Sequence, residues 1–124
     1  MNDIKNIAVC LYGRFGTGEF CSPNTLEFFK NTKGVNVDFF CASKDYDNYY
    51  HTRYNRSSDD ITKIDTEYLT DMLSMYNPKD TIIVEYEVDL LRRFEGSGAP
   101  LFSQICESIM LKSNYEVNND MQYD

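Results

Sequence analysis

Clusters of positive charge are missing from this sequence: its twelve Lys and Arg are scattered among twenty Asp and Glu, for a net charge of −8. Phosphate backbones are held by concentrated Lys and Arg, so a DNA- or RNA-binding role is excluded. The acidity itself reads as a solubility feature. No CxxC pair occurs among Cys10, Cys21, Cys41 and Cys106, and no histidine lies near them, which removes a zinc site. Cys10 and Cys41 fall inside apolar runs and read as buried free thiols of a reducing cytoplasm. The opening residues lack the basic-then-apolar pattern of a secretory leader, and no apolar stretch approaches bilayer length. The expectation is a cytoplasmic chain with neither membrane nor nucleic acid as partner. A Walker loop, an internal repeat and a low-complexity tract are also absent. The single histidine, His51, has no Ser or Cys motif beside it from which to build a nucleophilic triad.

What is present is enough apolar material for one core. The 124 residues include ten tyrosines and eight phenylalanines, and a chain of this length buries roughly two-thirds of its unfolded surface. One domain, spanning residues 1–124, is expected. Residues 7–11 (Ile-Ala-Val-Cys-Leu) form a short apolar run suited to a strand buried on both faces, and the expectation is a central strand. Ser22-Pro23 has the form of an N-cap and first helical position, leading into a helix over 24–31 that Gly34 closes. Residues 35–41 read as a second strand, in which Asp38 needs solvent or a partner. A polar segment from about 43 to 63 has no period. Asp65 or Thr66 then caps a helix carrying Leu69, Met72, Leu73 and Tyr76 at helical spacing, stopped by Asn77-Pro78. Residues 81–86 read as a third strand. A last helix opens near Pro100, with Leu101, Ile105 and Ile109 on its packing stripe and Phe102, Cys106 and Met110 beside it, and frays near Val117. The order predicts an α/β fold: a three-layer Rossmann-like β-α-β-α-β-α unit with a mainly parallel sheet.

Parallel sheets of this kind take ligands at the carboxyl ends of their strands, which directs attention to three loops. The first is Leu11-Tyr12-Gly13-Arg14-Phe15-Gly16-Thr17-Gly18. Glycines there let backbone N–H groups approach a phosphate, the following helix N-terminus favours an anion, and Arg14 adds a full charge. The spacing G-x-x-G-x-G matches neither the dinucleotide fingerprint nor a Walker loop, so an anion site and a plain βα turn both remain open. The second is Asp45-Tyr46-Asp47, whose carboxylates are hard oxygen ligands suited to a divalent cation, although a solvated loop is the simpler reading. The third is Glu85, Glu87 and Asp89, which alternation would place on one face.

Several segments together resemble the glycosyltransferase-like proteins of phages, large viruses and bacteria: Ile7-Ala8-Val9-Cys10-Leu11-Tyr12-Gly13-Arg14-Phe15, Val37-Asp38-Phe39-Phe40, the helix from Leu101-Phe102-Ser103-Gln104 to Ile109, and Tyr123-Asp124. The resemblance covers almost the whole chain. It implies a GT-A-like fold whose first half is a Rossmann-like unit holding a nucleotide-sugar donor, with Gly13, Arg14 and Thr17 near the phosphates and Asp45 near the base or ribose. It also implies a divalent cation, Mn or Mg, in a complete enzyme. In that family the Tyr-Asp pair leads into a further strand ending in an acidic metal-binding motif, and an acceptor-binding half follows. Neither is in this sequence. The expectation is therefore a donor-binding half that is incomplete or inactive on its own, with no metal ligand assigned and no cofactor held tightly. The alternative is a non-enzymatic interaction or structural protein, such as a viral accessory or virion component, that uses the same scaffold and meets a protein partner or its own copy through exposed tyrosines.

Overall fold

The computed structural model describes residues 4–13, 18–47, 62–85, 88 and 99–124. The elements run β1 (Lys5–Gly13), α1 (Gly18–Lys30), β2 (Val35–Lys44), β3 (Tyr46–Asp47), β4 (Thr62–Lys63), α2 (Thr66–Leu73), a 3-10 turn (Ser74–Tyr76), β5 (Asp80–Val84) and α3 (Ala99–Asn118). Three strands form a parallel sheet in the order β1-β2-β5, and β3 and β4 pair antiparallel as a separate ribbon. The chain is thus α/β with a parallel sheet, as its alternating pattern predicts. The ribbon interrupts the simple strand-helix alternation, and the strand order departs from a Rossmann-like unit, in which the first strand is flanked on both sides.

Among the described strands β2, not β1, is central. This corrects the placement of residues 7–11, and the cause is visible in the register. Ile7 pairs with Val37 and Leu11 with Cys41 on one side of β2, while Phe40 to Lys44 pair with Asp80 to Val84 on the other. Apolar character on both faces of a strand reports only that helices cover it above and below; it says nothing of which strands lie beside it. The buried residues Phe39, Phe40, Cys41, Ala42 and Ser43 accordingly lie in β2.

Both faces of β2 are in fact covered. Phe39 meets Phe29 of α1 at 5.6 Å and Tyr76 of the 3-10 turn at 5.1 Å between ring centroids. Its neighbour Phe40 meets Tyr115 of α3 at 5.6 Å and Tyr123 of the tail at 5.9 Å. Adjacent residues of a strand point to opposite faces, so α1 and the 3-10 turn lie on one side and α3 on the other. Two crossovers that step the same way across the sheet carry their helices to the same face, which is why α2 joins α1. Its Leu69, Met72 and Leu73 close over Cys41, with Leu11, Ile64 and Ile83 packed around them. Burying each large side chain of that cluster contributes about 1.5–3 kcal/mol.

The local signals explain most boundaries. Asp65 caps α2, its carboxylate accepting from the Glu67 N–H at 3.1 Å. Asn77 ends the 3-10 turn in the left-handed region at φ 45°, with Pro78 following. Gly34 adopts φ +78°, turning the chain from α1 into β2 while its carbonyl accepts from Lys5 N–H at 3.0 Å. The start of α1 differs from the sequence reading. The helix begins at Gly18 and Pro23 lies inside it, so Ser22 is a helical residue instead of a cap. The missing proline N–H costs one intrahelical bond there.

Candidate functional site

The three parallel strands end together. Gly13, the last residue of β1, lies opposite Ser43, and Lys44, the last residue of β2, lies opposite Val84, the last residue of β5. Neighbouring strands are roughly 4.8 Å apart, so these ends form one short rim. The first turn of α1 opens at Gly18, five residues after Gly13, and carries the N–H groups that no helical carbonyl takes up.

Of the residues predicted to line a donor site, Gly13 and Asp45 come to this rim. Arg14 and Thr17, with Phe15 and Gly16 between them, lie outside the described residues, as does His51. Asp45 is buried, which corrects the reading of Asp45-Tyr46-Asp47 as a solvated loop. Its N–H donates to the Val84 carbonyl at 3.2 Å, adding a rung to the β2-β5 ladder, and its carbonyl accepts from Ile64 N–H at 2.7 Å. The segment is held on both sides because Tyr46 and Asp47 go on to pair with Lys63 and Thr62. Ser43, also buried, was not singled out by sequence; nothing distinguishes it there from any other strand serine. Glu85 is exposed just past β5, while Glu87 and Asp89 fall outside the described residues. Among the described residues no three His, Cys, Asp or Glu side chains converge in a way that could hold a metal ion.

Two of the thiols, Cys10 and Cys41, are not nucleophiles. Burial, with Cys10 close by, pushes the Cys41 thiol up to about 12, and burial also raises that of Cys10. Both are therefore neutral and inert near pH 7. Cys10, Cys41 and Cys106 are all free; Cys41 is buried as expected, Cys10 is only half-buried, and Cys106 is exposed.

A second polar constellation lies at the opposite end of the sheet. Tyr123 Oη donates to Asp38 Oδ2 at 2.7 Å, and Tyr123 N–H donates to the Glu116 carboxylate at 2.8 Å. Asp38 thus has the partner its apolar strand demands. Burial, and then the bond to Asp38, raises the Tyr123 phenol above its ordinary value, while the N–H of Tyr123, followed by Lys112 at 3.1 Å, lowers the Glu116 carboxyl. Beside it lies a cleft of about 690 Å³ lined by Ser113, Glu116, Val117, Asp120, Met121 and Gln122. It is the largest of the described cavities, but two carboxylates in its wall make it a poor seat for a diphosphate. The tail also binds the outer edge of β1: Asp124 N–H donates to the Asn6 carbonyl at 2.8 Å, and Asn6 N–H to Asp124 Oδ2 at 2.7 Å.

No protein-family model, curated protein or solved structure matches the chain. Among the described residues no helix is long and apolar enough to cross a membrane.

Proposed function

We propose that this chain is a glycosyltransferase-like domain that binds a nucleoside diphosphate, or its sugar, at the carboxyl rim of the parallel sheet. It is the Rossmann-like donor half of a GT-A-type arrangement and does not transfer sugar by itself. The observation that carries the reading is the meeting of Gly13 and Asp45 on one rim, with the glycine-rich segment running from there into the N-terminus of α1. Backbone donors and Arg14 meet the phosphates, and Asp45, fixed between β5 and the ribbon, meets the ribose or base.

One guanidinium and a few backbone donors contribute about 4 kcal/mol to binding, which corresponds to a dissociation constant near 1 mM. Calorimetric titration with UDP, GDP and their hexose conjugates, with and without manganese, tests this. Millimolar binding that Arg14→Ala weakens at least tenfold supports the site. Absence of binding to all of these ligands refutes it, and measurable sugar transfer by these residues would refute the assignment as a donor half.

The interaction-scaffold reading is favoured by a different observation, the exposure of a continuous apolar stripe on α3. It is compatible with nucleotide binding at the rim, since the stripe and the rim are separate surfaces.

A further inference from the structure

Strand β2 outruns its neighbour β5. It pairs with β1 from Val35 onward, but β5 joins it only from Phe40, so residues 35–39 leave an open edge on the β5 side. The direction of each backbone group there follows from the ladder. The Gly34 carbonyl accepts from Lys5 N–H at 3.0 Å on the β1 side, and the Phe39 carbonyl accepts from Lys79 N–H at 2.8 Å on the β5 side. These directions alternate along a strand, so Val35 and Val37 turn N–H and C=O into the open edge. No described residue supplies those groups with a backbone partner. Strand β5 cannot fill the gap by starting earlier, because Pro78 has no N–H to give and Asn77, at φ 45°, turns the backbone away.

A cleft of about 310 Å³ runs beside this edge, between Leu26, Phe29 and Lys30 of α1 and Val35, Val37 and Phe39 of β2. The residues that wall the cleft thus also carry the open backbone groups. Those groups repeat every two residues, about 6.6 Å apart, which is the repeat of another extended chain. Charge defines that chain further. Among the described residues that line the cleft Lys30 alone is charged, and Lys33, in the turn before Gly34, and Lys79, bonded to Phe39, stand at the two ends of the open stretch. All three lysines are exposed, and none forms an ion pair among the described residues. They complement a carboxylate on the incoming chain. A second copy pairing edge to edge would instead set the same lysines against one another.

We propose that the notch beside residues 35–39 binds an extended, acidic peptide segment of a partner protein, which adds to β2 as a short strand in line with β5. An apolar side chain of the peptide enters the cleft, and a carboxylate two residues away, on the same face, meets Lys30. The site lies at the amino end of β2, away from the rim proposed for the nucleotide, and does not depend on it. The probe is acetyl-Thr-Val-Thr-Glu-Thr-amide, titrated into the ¹⁵N-labelled full chain, with a dissociation constant on the order of 100 μM expected. The Val35 and Val37 amides should shift most. Their hydrogen exchange, fast in the free chain because they have no acceptor, should slow at least about tenfold with bound peptide. Lys30→Glu should weaken binding at least about fivefold, and exchanging the peptide's Glu for Lys should restore it to that variant. Methylating every backbone N–H of the peptide should abolish binding. Absence of shifts at 2 mM peptide, on the order of twenty times the expected constant, overturns the proposal. So do equal affinity of the methylated peptide, indifference to Lys30→Glu, and Val35 and Val37 amides already slow in the free chain, which would mean that the edge is filled by the chain itself or by a second copy.

Discussion

Replacing Tyr123 with phenylalanine removes a single oxygen atom and isolates the bond that ties the tail to the centre of the sheet. The ring contacts survive the change, since Phe40 lies edge-on to Tyr123 at 5.9 Å and Tyr115 stacks at 6.4 Å, and neither needs the hydroxyl. What is lost is the 2.7 Å bond from Tyr123 Oη to Asp38 Oδ2. A hydrogen bond to a carboxylate contributes about 1.5–3 kcal/mol when well shielded; both partners here are only partly buried, so solvent screening lowers the expectation to about 1–2 kcal/mol. For a domain of this size that corresponds to a fall in the urea midpoint of roughly 0.5–1 M. The cycle formed with Asp38→Ala should return a coupling of about 1 kcal/mol. The pH dependence supplies a second check. The Tyr123 phenol is raised in the folded protein, so the folded state holds that proton more tightly than the unfolded state. Its contribution is fully present below the unfolded value of about 10 and is lost as pH rises from there through the folded value. Parent protein should therefore lose more stability than Tyr123→Phe between pH 9 and 11. A variant within about 0.3 kcal/mol of the parent, with an identical alkaline profile, would show that the bond is a solvated contact and that ring packing alone holds the tail.

Further outcomes can be stated more briefly. Hydrogen exchange should be slowest for the amides of Phe40, Cys41 and Ala42 in β2 and measurably faster for outward-facing amides of β1, and the reverse ranking would contradict the strand order. Leu69→Ala, at a fully buried position against Cys41, should cost about 2–5 kcal/mol in chemical denaturation; a loss below 1 kcal/mol would mean that α2 does not close the core. Gly34→Ala should destabilise by about 1–2 kcal/mol through its φ of +78° alone, because nothing lies within 4 Å of an added Cβ, and an unchanged midpoint would refute the left-handed turn. Cys41 should resist thiol reagents at pH 8 until the protein unfolds, while Cys106 reacts at once; equal rates would contradict their opposite burial.

The residue pattern foretold several elements well because their causes are local. Asp65 as a cap, the Leu69-Met72-Leu73 spacing and the Asn77-Pro78 stop are all decided within one or two turns of chain. Gly34 was legible for the same reason. Sequence also flagged Asp38 as needing solvent or a partner, since a carboxylate is not buried alone in an apolar strand. Its partner, Tyr123, lies 85 residues away, and no local pattern could name it. The candidate site was legible as a set of strand ends, and Gly13 and Asp45 do share the rim. The burial of Asp45 was not legible, because it depends on Val84 and on the ribbon strand that begins at Thr62.

By itself, then, the sequence determined where the three sheet strands and most of the helices occur, that those strands run parallel, and that both faces of the sheet are covered, because periodicity and capping act over a few residues; it missed the antiparallel ribbon and the first turn of α1. Only the tertiary structure decided that β2 and not β1 is central, that Gln104 and Ser108 face inward, and that the apolar stripe of α3 faces outward. A helix that is apolar on two sides can pack by either one, and a strand that is apolar on both faces can stand in the middle or at the edge. Which choice is taken depends on contacts between residues far apart in the chain, such as Phe40 with Tyr115 and Tyr123, whose combined burial outweighs any single helix's preference.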